Sequence, residues 1–476
     1  MTIADLHNKR IAILGLGVNN QQLALYLLEQ GLSVTIRDKK PEVEKEFRQA
    51  HPALQEKITW EIGEDVLKNL ETFEVVFRSP SIPFLNPKIQ KAMKKGVIIY
   101  SQTKLFFDLS PAPIVAVSGT NGKGTTTTLI SKMLEAGYKE GKTYMGGNIG
   151  LDPFSFLPQL TENDVVVLEL SSFQLQDLHV SPHIAVLLSM TPDHLDHHQT
   201  LEEYYGAKSS LVRFQGPDDI AIVHADNQVS MSLARGIKSR ILRYTRSRPQ
   251  RQAAWVDSGP DHENAFLQVD DHLESFSLLG RRLIGAHNLE NILAASLVAY
   301  SCGVPIPTIQ KVATTFAGLA HRLSFVLSVD GVDFYDDSIS TSPATCEAAL
   351  DAFSGRRVHL IAGGSDKGHD FSDLAPVLVQ SCTTVSLLPG EATKKLEKAL
   401  QRANREVAAD KRLLILNKAQ PPLFPTILSG IHPHLKSGDV VLLSPAAASF
   451  ASFTNYKARG DAFIQAVSER YLTPSS

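Results

Sequence analysis

The chain has 476 residues, a formal net charge of -3 and 20% charged residues. This balance gives no basis for a protein that binds nucleic acid or a membrane surface. At roughly 100–200 residues per domain, the length predicts about three domains. Three cysteines, Cys302, Cys346 and Cys382, are far apart in the sequence, so neither a disulfide framework nor a Cys-based zinc site is expected.

The sequence shows no targeting or membrane signal. Residues 1–15 lack a basic region followed by a long apolar run, so they are not typical of a signal peptide. No apolar stretch approaches the roughly 18 residues of a membrane span. We therefore expect a cytoplasmic protein that acts without a membrane or a nucleic acid. We also expect a monomer.

Short apolar segments alternate with longer helical patterns along the chain. They include residues 11–17, 114–119, 165–170, 184–190, 358–364 and 440–445. Strands that helices bury on both faces have this pattern, which predicts an α/β fold with mostly parallel sheets. Breaks near 105–114 and 319–322 predict domains over 1–112, 113–319 and 320–476. The polar stretch 240–283 predicts a small β-rich excursion in the middle domain.

The N-terminal module begins with a predicted strand, a glycine turn and a helix. Gly15 and Gly17 fit a dinucleotide-binding turn, but Asn20 stands where the third glycine would be. Asp38 follows the second strand, where an acidic group can contact a ribose hydroxyl. A helix N-terminus favours an anion, so a diphosphate or uridine fits as well as a nicotinamide cofactor. A βαβ unit without a ligand is the alternative.

The strongest local signal lies in residues 114–130. A predicted buried strand runs into GTNGKGT, residues 119–125, and then into a helix. Glycines let backbone N–H groups converge on phosphate oxygens, and Lys123 can neutralise the β and γ phosphates of a nucleotide. Gly124 occupies the position where the common phosphate loop has a hydroxyl. Thr125 is therefore the next candidate for a Mg²⁺ ligand.

Two later strands end in candidate metal ligands, at the edge where ligands gather in open α/β sheets. Glu169 ends one strand, and its carboxylate suits a hard cation such as Mg²⁺. His194, with Asp193 beside it, follows the next strand and is a candidate for a second metal site. A zinc site is the alternative, although no HExxH or Cys/His spacing supports it.

Several motifs together resemble one enzyme family. The loop GTNGKGTTT (119–127) is similar to that of the Mur ligase superfamily, and its GKG variant also resembles folylpolyglutamate synthase. Four further segments resemble the glutamate-adding Mur ligases. They are LELSSFQL (168–175), TPDHLDHH (191–198), GGSDKGHDF (363–371) and SPAAASFASFTNY (444–456). The resemblance covers nearly the whole chain in the expected order, and the N-terminal module matches most weakly.

The resemblance implies a three-domain fold and an amide-forming activity. Its N-terminal domain is Rossmann-like, its central domain is P-loop ATPase-like, and its C-terminal domain is Rossmann-like. It implies an ATP-dependent ligase that adds D-glutamate to UDP-N-acetylmuramoyl-L-alanine through an acyl phosphate, in peptidoglycan precursor synthesis. ATP and two Mg²⁺ ions are the implied cofactors, with carbamylated Lys208 as a further carboxylate. An ordinary surface lysine is the alternative for Lys208.

The resemblance also assigns site residues. The implied catalytic residues are Lys123, Glu169, His194 and Lys208, and the implied metal ligands are Thr125, Glu169, His194 and Lys208. The implied ATP-binding residues are Gly119, Thr120, Asn121, Gly122, Lys123, Gly124, Thr125, Asn288, Asn291, Arg322 and Asp337. The implied contacts of the UDP-linked substrate are Gly15, Leu16, Gly17, Val18, Asp38, Lys39, Ser79, Asn148, Ser171 and Gln174. The implied glutamate contacts are Thr341, Lys367, Ser449, Phe450 and Tyr456.

The sequence departs from the family pattern at three positions. Ile339 replaces the lysine of the usual DSKAT segment, so a cation near ATP or glutamate is missing. Ser81 replaces the glycine of an SPG loop, and Tyr456 stands where phenylalanine is common. Ile339 leaves two alternatives open, a ligase for L-glutamate and a sensor that has lost its chemistry. The GKG loop leaves a third, a folylpolyglutamate synthase. A nicotinamide dehydrogenase would leave the phosphate loop unexplained.

Overall fold

The computed structural model describes residues 1–191, 200–247, 253–259, 261–416 and 423–472, except for the side chains of Val18, Asn19 and Asp410. Within these ranges the strands form three sheets. Most neighbouring strands are parallel, so the predicted α/β class is confirmed. No helix in the described ranges combines the length and apolarity needed to cross a bilayer.

The first sheet is parallel throughout, in the order β3-β2-β1-β4-β5. Its strands and helices are β1 (Ile11–Leu14), α1 (Val18–Glu29), β2 (Val34–Asp38), α2 (Pro41–Ala50), β3 (Ile58–Ile62), β4 (Val75–Arg78), α3 (Pro87–Lys94), β5 (Ile98–Ser101) and α4 (Gln102–Leu109). The strand order reverses between β1 and β4. Ligands of open α/β sheets bind outside the carboxyl ends of the strands at such a switch point.

The second sheet holds the phosphate loop. Its elements are β6 (Ile114–Ser118), α5 (Lys123–Gly137), β7 (Thr143–Gly147), α6 (Pro153–Phe156), β8 (Val165–Glu169), α7 (Ser172–Leu175), β9 (Ile184–Leu187), α8 (Leu201–Arg213), β10 (Ile220–His224), α9 (Gln228–Leu233), β11 (Arg240–Tyr244), β12 (Ala253–Gly259), β13 (His262–Val269) and β14 (His272–Ser277). Two helices follow, α10 (Ala286–Ser301) and α11 (Ile306–Thr315).

The order of the second sheet explains the polar stretch 240–283. The strands lie in the order β14-β13-β12-β11-β10-β9-β6-β8-β7. Strands β12, β13 and β14 are antiparallel neighbours, and β12 also pairs with β11. The predicted β-rich excursion is therefore present, and it extends one edge of the central sheet. Every residue of β6 and β8 is buried, as the continuous apolar runs predicted.

The third sheet has the order β15-β16-β20-β17-β18-β19 and is parallel except for the edge pair β15 and β16. Its elements are β15 (Ser324–Val329), β16 (Val332–Asp336), α12 (Pro343–Asp351), β17 (Val358–Ala362), α13 (Leu374–Ser381), β18 (Cys382–Leu387), α14 (Glu391–Arg405), β19 (Leu414–Leu416), α15 (Leu423–Ile431), β20 (Val440–Leu443) and α16 (Tyr456–Tyr471). Separate apolar clusters cover its two faces.

The chain divides into two compact units. Unit 1 comprises residues 1–279 and 289–313 and holds the first two sheets, and unit 2 comprises residues 280–288 and 314–476 and holds the third sheet. The domain limits predicted from the sequence, at 112 and 319, stay predictions.

Candidate active site

The phosphate loop joins β6 to α5 and is packed too closely for side chains at two of its glycines. A Cβ added to Gly119 would lie 2.6 Å from the Cβ of Leu188, and one added to Gly122 would lie 2.4 Å from Oδ1 of Asn291. Gly122 also has a φ of 81°, a left-handed conformation that favours glycine. The loop conformation therefore depends on these two glycines.

Hydrogen bonds hold the loop against the end of β9. The backbone N–H of Thr120 donates to the carbonyl oxygen of Ser189 at 2.8 Å. The Thr120 hydroxyl donates to the carbonyl oxygen of Thr191 at 2.9 Å and lies 3.0 Å from the hydroxyl of buried Tyr204. The protein itself thus fixes the turn.

Lys123 lies at the first turn of α5 and folds back over the loop. Its ammonium donates to the carbonyl oxygens of Gly119 at 3.1 Å and Thr120 at 2.9 Å. Asn121 is exposed, whereas Gly124 and Thr125 are buried in the first turn of the helix. The lysine charge therefore lies where loops of this type hold phosphates.

Glu169 lies beside the phosphate loop because its strand pairs with β6. The parallel register places Val117 opposite Glu169, and the Glu169 side chain is largely buried. Together with the Thr125 hydroxyl, this carboxylate supplies the oxygen ligands that Mg²⁺ prefers. These oxygen ligands are of the kind that such a site needs, and the magnesium site itself stays a prediction.

Lys208 is buried on α8, with only 2% of its surface exposed. Its ammonium donates to the carbonyl oxygen of Gly119 at 3.0 Å and to the hydroxyl of Ser118 at 3.2 Å. It also lies 5.0 Å from the ring centroid of Tyr204. The alternative of an ordinary surface lysine is therefore wrong.

Lys123 and Lys208 line a cavity of about 270 Å³ in unit 1. It is lined by Pro80, Gly119, Lys123, Asn148, Ser171, Ser172, Phe173, Tyr204 and Lys208. The cavity brings together residues that the sequence assigns to catalysis, to ATP and to the UDP-linked substrate. Sequence reasoning missed Tyr204, although it lies four residues before Lys208 and hence on the same helix face.

Gln174 has a supporting position rather than one in the cavity wall. Its side-chain carbonyl oxygen accepts hydrogen bonds from the backbone N–H and the hydroxyl of Ser171, at 2.9 and 3.0 Å. The Ser171 hydroxyl in turn accepts from the backbone N–H of Gln174. This capping box shapes the start of α7. A direct contact of Gln174 with substrate stays a prediction.

The other residues predicted to contact UDP lie in or next to the glycine turn of the first sheet. Asp38 accepts a hydrogen bond from the backbone N–H of Leu16 at 2.7 Å, and the backbone N–H of Ser79 donates to the carbonyl oxygen of Leu14. Asn20, at the position of the missing glycine, donates to the carbonyl oxygen of Gly15 at 2.8 Å. Gly17, Val18 and exposed Lys39 adjoin these residues in the chain. The turn thus lies at the switch point.

In unit 2, the predicted glutamate segments follow adjacent strands. A short bridge between Ser365 and Ala448 joins the segments after β17 and β20, and the backbone N–H of Ser365 donates to Ala448 at 2.8 Å. Lys367 is exposed, Ser449 is buried, and Phe450 is 68% exposed. The structure therefore brings the Lys367 and Ser449 segments together.

Asp337 is buried in unit 2, and protein donors occupy its carboxylate. It accepts hydrogen bonds from the backbone N–H of Leu323 at 3.0 Å, from the hydroxyl of Ser444 at 2.8 Å and from the hydroxyl of Ser340. Burial raises the pKa of Asp337 to about 6. A role of Asp337 in nucleotide binding stays a prediction.

A buried arginine fixes the segment between Asp337 and Thr341. Arg459 donates to the carbonyl oxygen of Ser338 at 2.7 Å and to its hydroxyl at 2.9 Å, and burial lowers the pKa of Arg459 to about 10. The Ser338 hydroxyl donates to the carbonyl oxygen of Tyr456. Ser338 thus links Arg459 to Tyr456, and Thr341, three residues further along the chain, is half-buried.

The remaining predicted residues lie outside the groups described above. His194 and Asp193 lie outside the described residues, so the second metal site and its zinc alternative stay predictions. Asn291 in unit 1 accepts a hydrogen bond from the Thr126 hydroxyl at 3.1 Å. In unit 2, Asn288 donates to the carbonyl oxygen of Ile284 and Arg322 is exposed. Their roles toward ATP also stay predictions.

Comparison with known proteins agrees with this geometry. Three family models match the chain: the MurD-like N-terminal domain of Mur ligases over residues 9–101, the Mur ligase middle domain over 117–299, and the glutamate ligase domain of Mur ligases over 321–447. A UDP-N-acetylmuramoylalanine–D-glutamate ligase of Acetivibrio thermocellus is 36% identical, over 97% of each chain. One from Symbiobacterium thermophilum is 36% identical, over 96% of this chain and 97% of the relative.

The chain belongs to the MurD family of Mur ligases. The predictions of this family and of an ATP-dependent, amide-forming ligase are thereby confirmed. Solved structures agree in fold. MurC of Thermotoga maritima has a TM-score of 0.56 at 17% identity, covering 97% of this chain and all of its own. MurF of T. maritima, solved with ADP, has a TM-score of 0.58 at 16% identity, covering 92% and 96%.

Proposed function

We propose that this Mur ligase joins D-glutamate to UDP-N-acetylmuramoyl-L-alanine at the cavity beside its phosphate loop. The observation that carries the proposal is the convergence of Lys123, Lys208, Asn148 and Ser171 on that one cavity. Curated relatives that match 96–97% of this chain are named for this acceptor and for D-glutamate. Those names favour the D isomer over the L isomer and over a folate substrate.

Activation of the acceptor carboxylate explains why a phosphate loop is present. In the proposed first step, a carboxylate oxygen bonds to the γ-phosphorus of ATP, the bond to the β-phosphate oxygen breaks, and ADP leaves. Lys123 offsets negative charge on the transferring group. The step yields an acyl phosphate, whose carbonyl carbon accepts an amine far more readily than a carboxylate does.

In the second step, the glutamate nitrogen bonds to the acyl carbon, inorganic phosphate leaves, and the amine loses a proton. Lys367, Ser449 and Thr341 are proposed to bind the glutamate carboxylates and so to position the amine, which is a proximity effect. Exposed Lys367 is placed to meet a ligand that arrives from solvent. These roles rest on the sequence motifs and on the adjacency of the Lys367 and Ser449 segments.

Mg²⁺ is proposed to bind Thr125 and Glu169, with a second ion at His194 and Lys208. When bound, Mg²⁺ supplies positive charge that lets two anions, carboxylate and phosphate, approach each other. Lys208 would join such a site as a carbamate, formed when its nitrogen bonds to the carbon of CO₂ and releases a proton. We expect ¹³C-labelled bicarbonate to give a carbamate NMR signal that Lys208→Arg abolishes and Lys132→Arg retains.

The proposed reaction is tested by product mass. Purified enzyme receives ATP, Mg²⁺, UDP-N-acetylmuramoyl-L-alanine and either D- or L-glutamate, and phosphate release is followed in parallel. We expect the mass of the acceptor plus one glutamyl residue with the D isomer alone. Product with the L isomer alone would reassign the amino acid, and turnover with a folate but not with the UDP-linked acceptor would reassign the acceptor.

A further inference from the structure

Arg78, at the end of β4, is fully buried in unit 1. Its exposed fraction is 0%, and its Nη2 lies 3.1 Å from Oδ1 of Asp177, which is 2% exposed. Removing two charges from water is costly, and a buried ion pair is weak evidence for a role in stability. The pair therefore calls for another explanation of why charge is buried here.

The guanidinium group of Arg78 joins two segments of chain. Its Nη1 donates to the carbonyl oxygens of Ile82 at 2.6 Å and Ser79 at 3.4 Å. Its Nη2 donates to the carbonyl oxygen of Phe173 at 3.2 Å. A planar guanidinium with several fixed N–H directions can make these bonds at once, whereas an ammonium is a compact point charge.

Both segments line the cavity beside the phosphate loop. Pro80 lies in residues 79–83 and Phe173 lies in α7, and both are lining residues. Gln176 adds a second link, because its side chain accepts from the backbone N–H of Phe84 at 3.3 Å and donates to Glu203 at 2.8 Å. Glu203 lies on α8, the helix that carries Lys208. The segments around Pro80 and Phe173, which form one wall of the cavity, are thus linked to α8.

We propose that Arg78 is a positioning residue that sets the spacing of this wall and thereby the affinity for the UDP-linked acceptor. It acts through the hydrogen bonds that it donates to the backbone of the 79–83 and 171–176 segments. The inference rests on the proposed function, because that function supplies the acceptor. It predicts a change in the KM for the acceptor without a change in the KM for ATP or in the KM for glutamate.

A double variant separates positioning from charge burial. Arg78→Met alone would leave Asp177 as an uncompensated buried charge, which is strongly destabilising, whereas replacing both members of a buried pair by apolar residues is often tolerated. We therefore use Arg78→Met together with Asp177→Leu. We expect a Tm close to that of the wild type, a rise in acceptor KM of about tenfold or more, and little change in kcat or in KM for ATP and D-glutamate.

Two further variants complete the test. Arg356 in unit 2 has the same kind of contacts, since it donates to the carbonyl oxygens of Gly438 and Asp439 and pairs with Asp333. The control, Arg356→Met with Asp333→Leu, replaces a partly exposed pair that is not among the residues lining the cavity and should keep the wild-type acceptor KM. Arg78→Lys retains a charge for Asp177 but not the fork of bonds. It should still raise acceptor KM severalfold. If the double variant does not fold, the acceptor KM of Arg78→Lys tests the positioning role instead.

The outcomes are distinguishable. A folded double variant with wild-type acceptor KM would overturn the inference, as would an equal rise in KM for all three substrates. Wild-type acceptor KM in Arg78→Lys would also overturn it. Failure of the wild-type enzyme to form the glutamyl product would instead sink the proposed function, because that measurement does not involve Arg78.

Discussion

The residues that the sequence assigns to the site are exposed to very different degrees in the two units. In unit 1, Lys208 is buried in the lining of a cavity, Glu169 is buried at the end of the neighbouring strand, and hydrogen bonds fix the loop backbone. In unit 2, Lys367 and Phe450 are exposed, whereas Asp337 and Arg459 are buried and held by protein partners. Unit 1 thus presents a formed pocket, and unit 2 presents exposed side chains on a rigid polar scaffold.

This difference has a physical consequence for the reaction. Charges enclosed by protein act strongly on a transferring phosphate because little water screens them, whereas exposed charges are screened. We therefore expect substitutions in the pocket of unit 1 to lower kcat. Substitutions at the exposed edge of unit 2 should mainly weaken binding of the amino acid.

The largest effect should come from Lys123→Ala. Removing a preorganised charge at the phosphate loop should lower kcat on the order of 10²-fold or more, measured by release of ADP and phosphate. Lys132→Ala, an exposed lysine on the same helix, should leave kcat unchanged. If Lys123→Ala kept full activity, the formed pocket would not be the site of phosphoryl transfer.

Gly122→Ala tests whether the loop shape itself matters. The added Cβ would clash with Oδ1 of Asn291, and φ would stay in the left-handed region, so Lys123 should move relative to the phosphates. We expect kcat to fall on the order of tenfold or more. Gly206→Ala on α8, where nothing lies within 4 Å of the added Cβ, is the control. Equal kcat for both variants would show that the loop tolerates the shift.

Lys367→Met tests the exposed edge of unit 2. Loss of a charged hydrogen bond to a glutamate carboxylate should raise KM for D-glutamate about tenfold, with KM for ATP unchanged. Lys398→Met, an exposed lysine on α14, should change neither value. A fall in kcat without a change in glutamate KM would contradict the contrast between the units.

The smallest effect should come from the buried scaffold of unit 2. Because burial raises the pKa of Asp337 to about 6, the folded state binds a proton more tightly than the unfolded state. The resulting stability is present at low pH and is lost as pH rises through about 6. Relative to Asp337→Asn, the wild type should therefore lose about 1 kcal/mol of unfolding free energy between pH 5 and 7.

Chemical denaturation of the wild type and Asp337→Asn at both pH values measures this difference. Other titrating groups are common to the two proteins and cancel in the comparison. The same pH dependence in both proteins would mean that Asp337 is ionised in the folded state throughout. In that case its carboxylate would be available to a cation, and the scaffold would resemble the charged pocket of unit 1.

Much of the pocket could be predicted from the sequence, because its residues follow the ends of predicted strands. The runs before Gly119 and Glu169 predicted buried strands of a mostly parallel sheet, and parallel strands place their carboxyl ends at one edge. The burial of Lys208 did not follow, since a lysine on a helix is more often exposed. Nor did the supporting position of Gln174, because its bond to Ser171 depends on the local turn.

The sequence alone determined the chemistry available to this protein: a glycine-rich phosphate loop, a carboxylate at a strand end and lysines at motif positions, all set by local spacing. Only the tertiary structure decided which of these groups are buried and which segments meet. Arg78 and Asp177 are far apart in the chain, yet their pairing joins two walls of the cavity. Such contacts depend on packing between distant strands and helices, which no local pattern encodes.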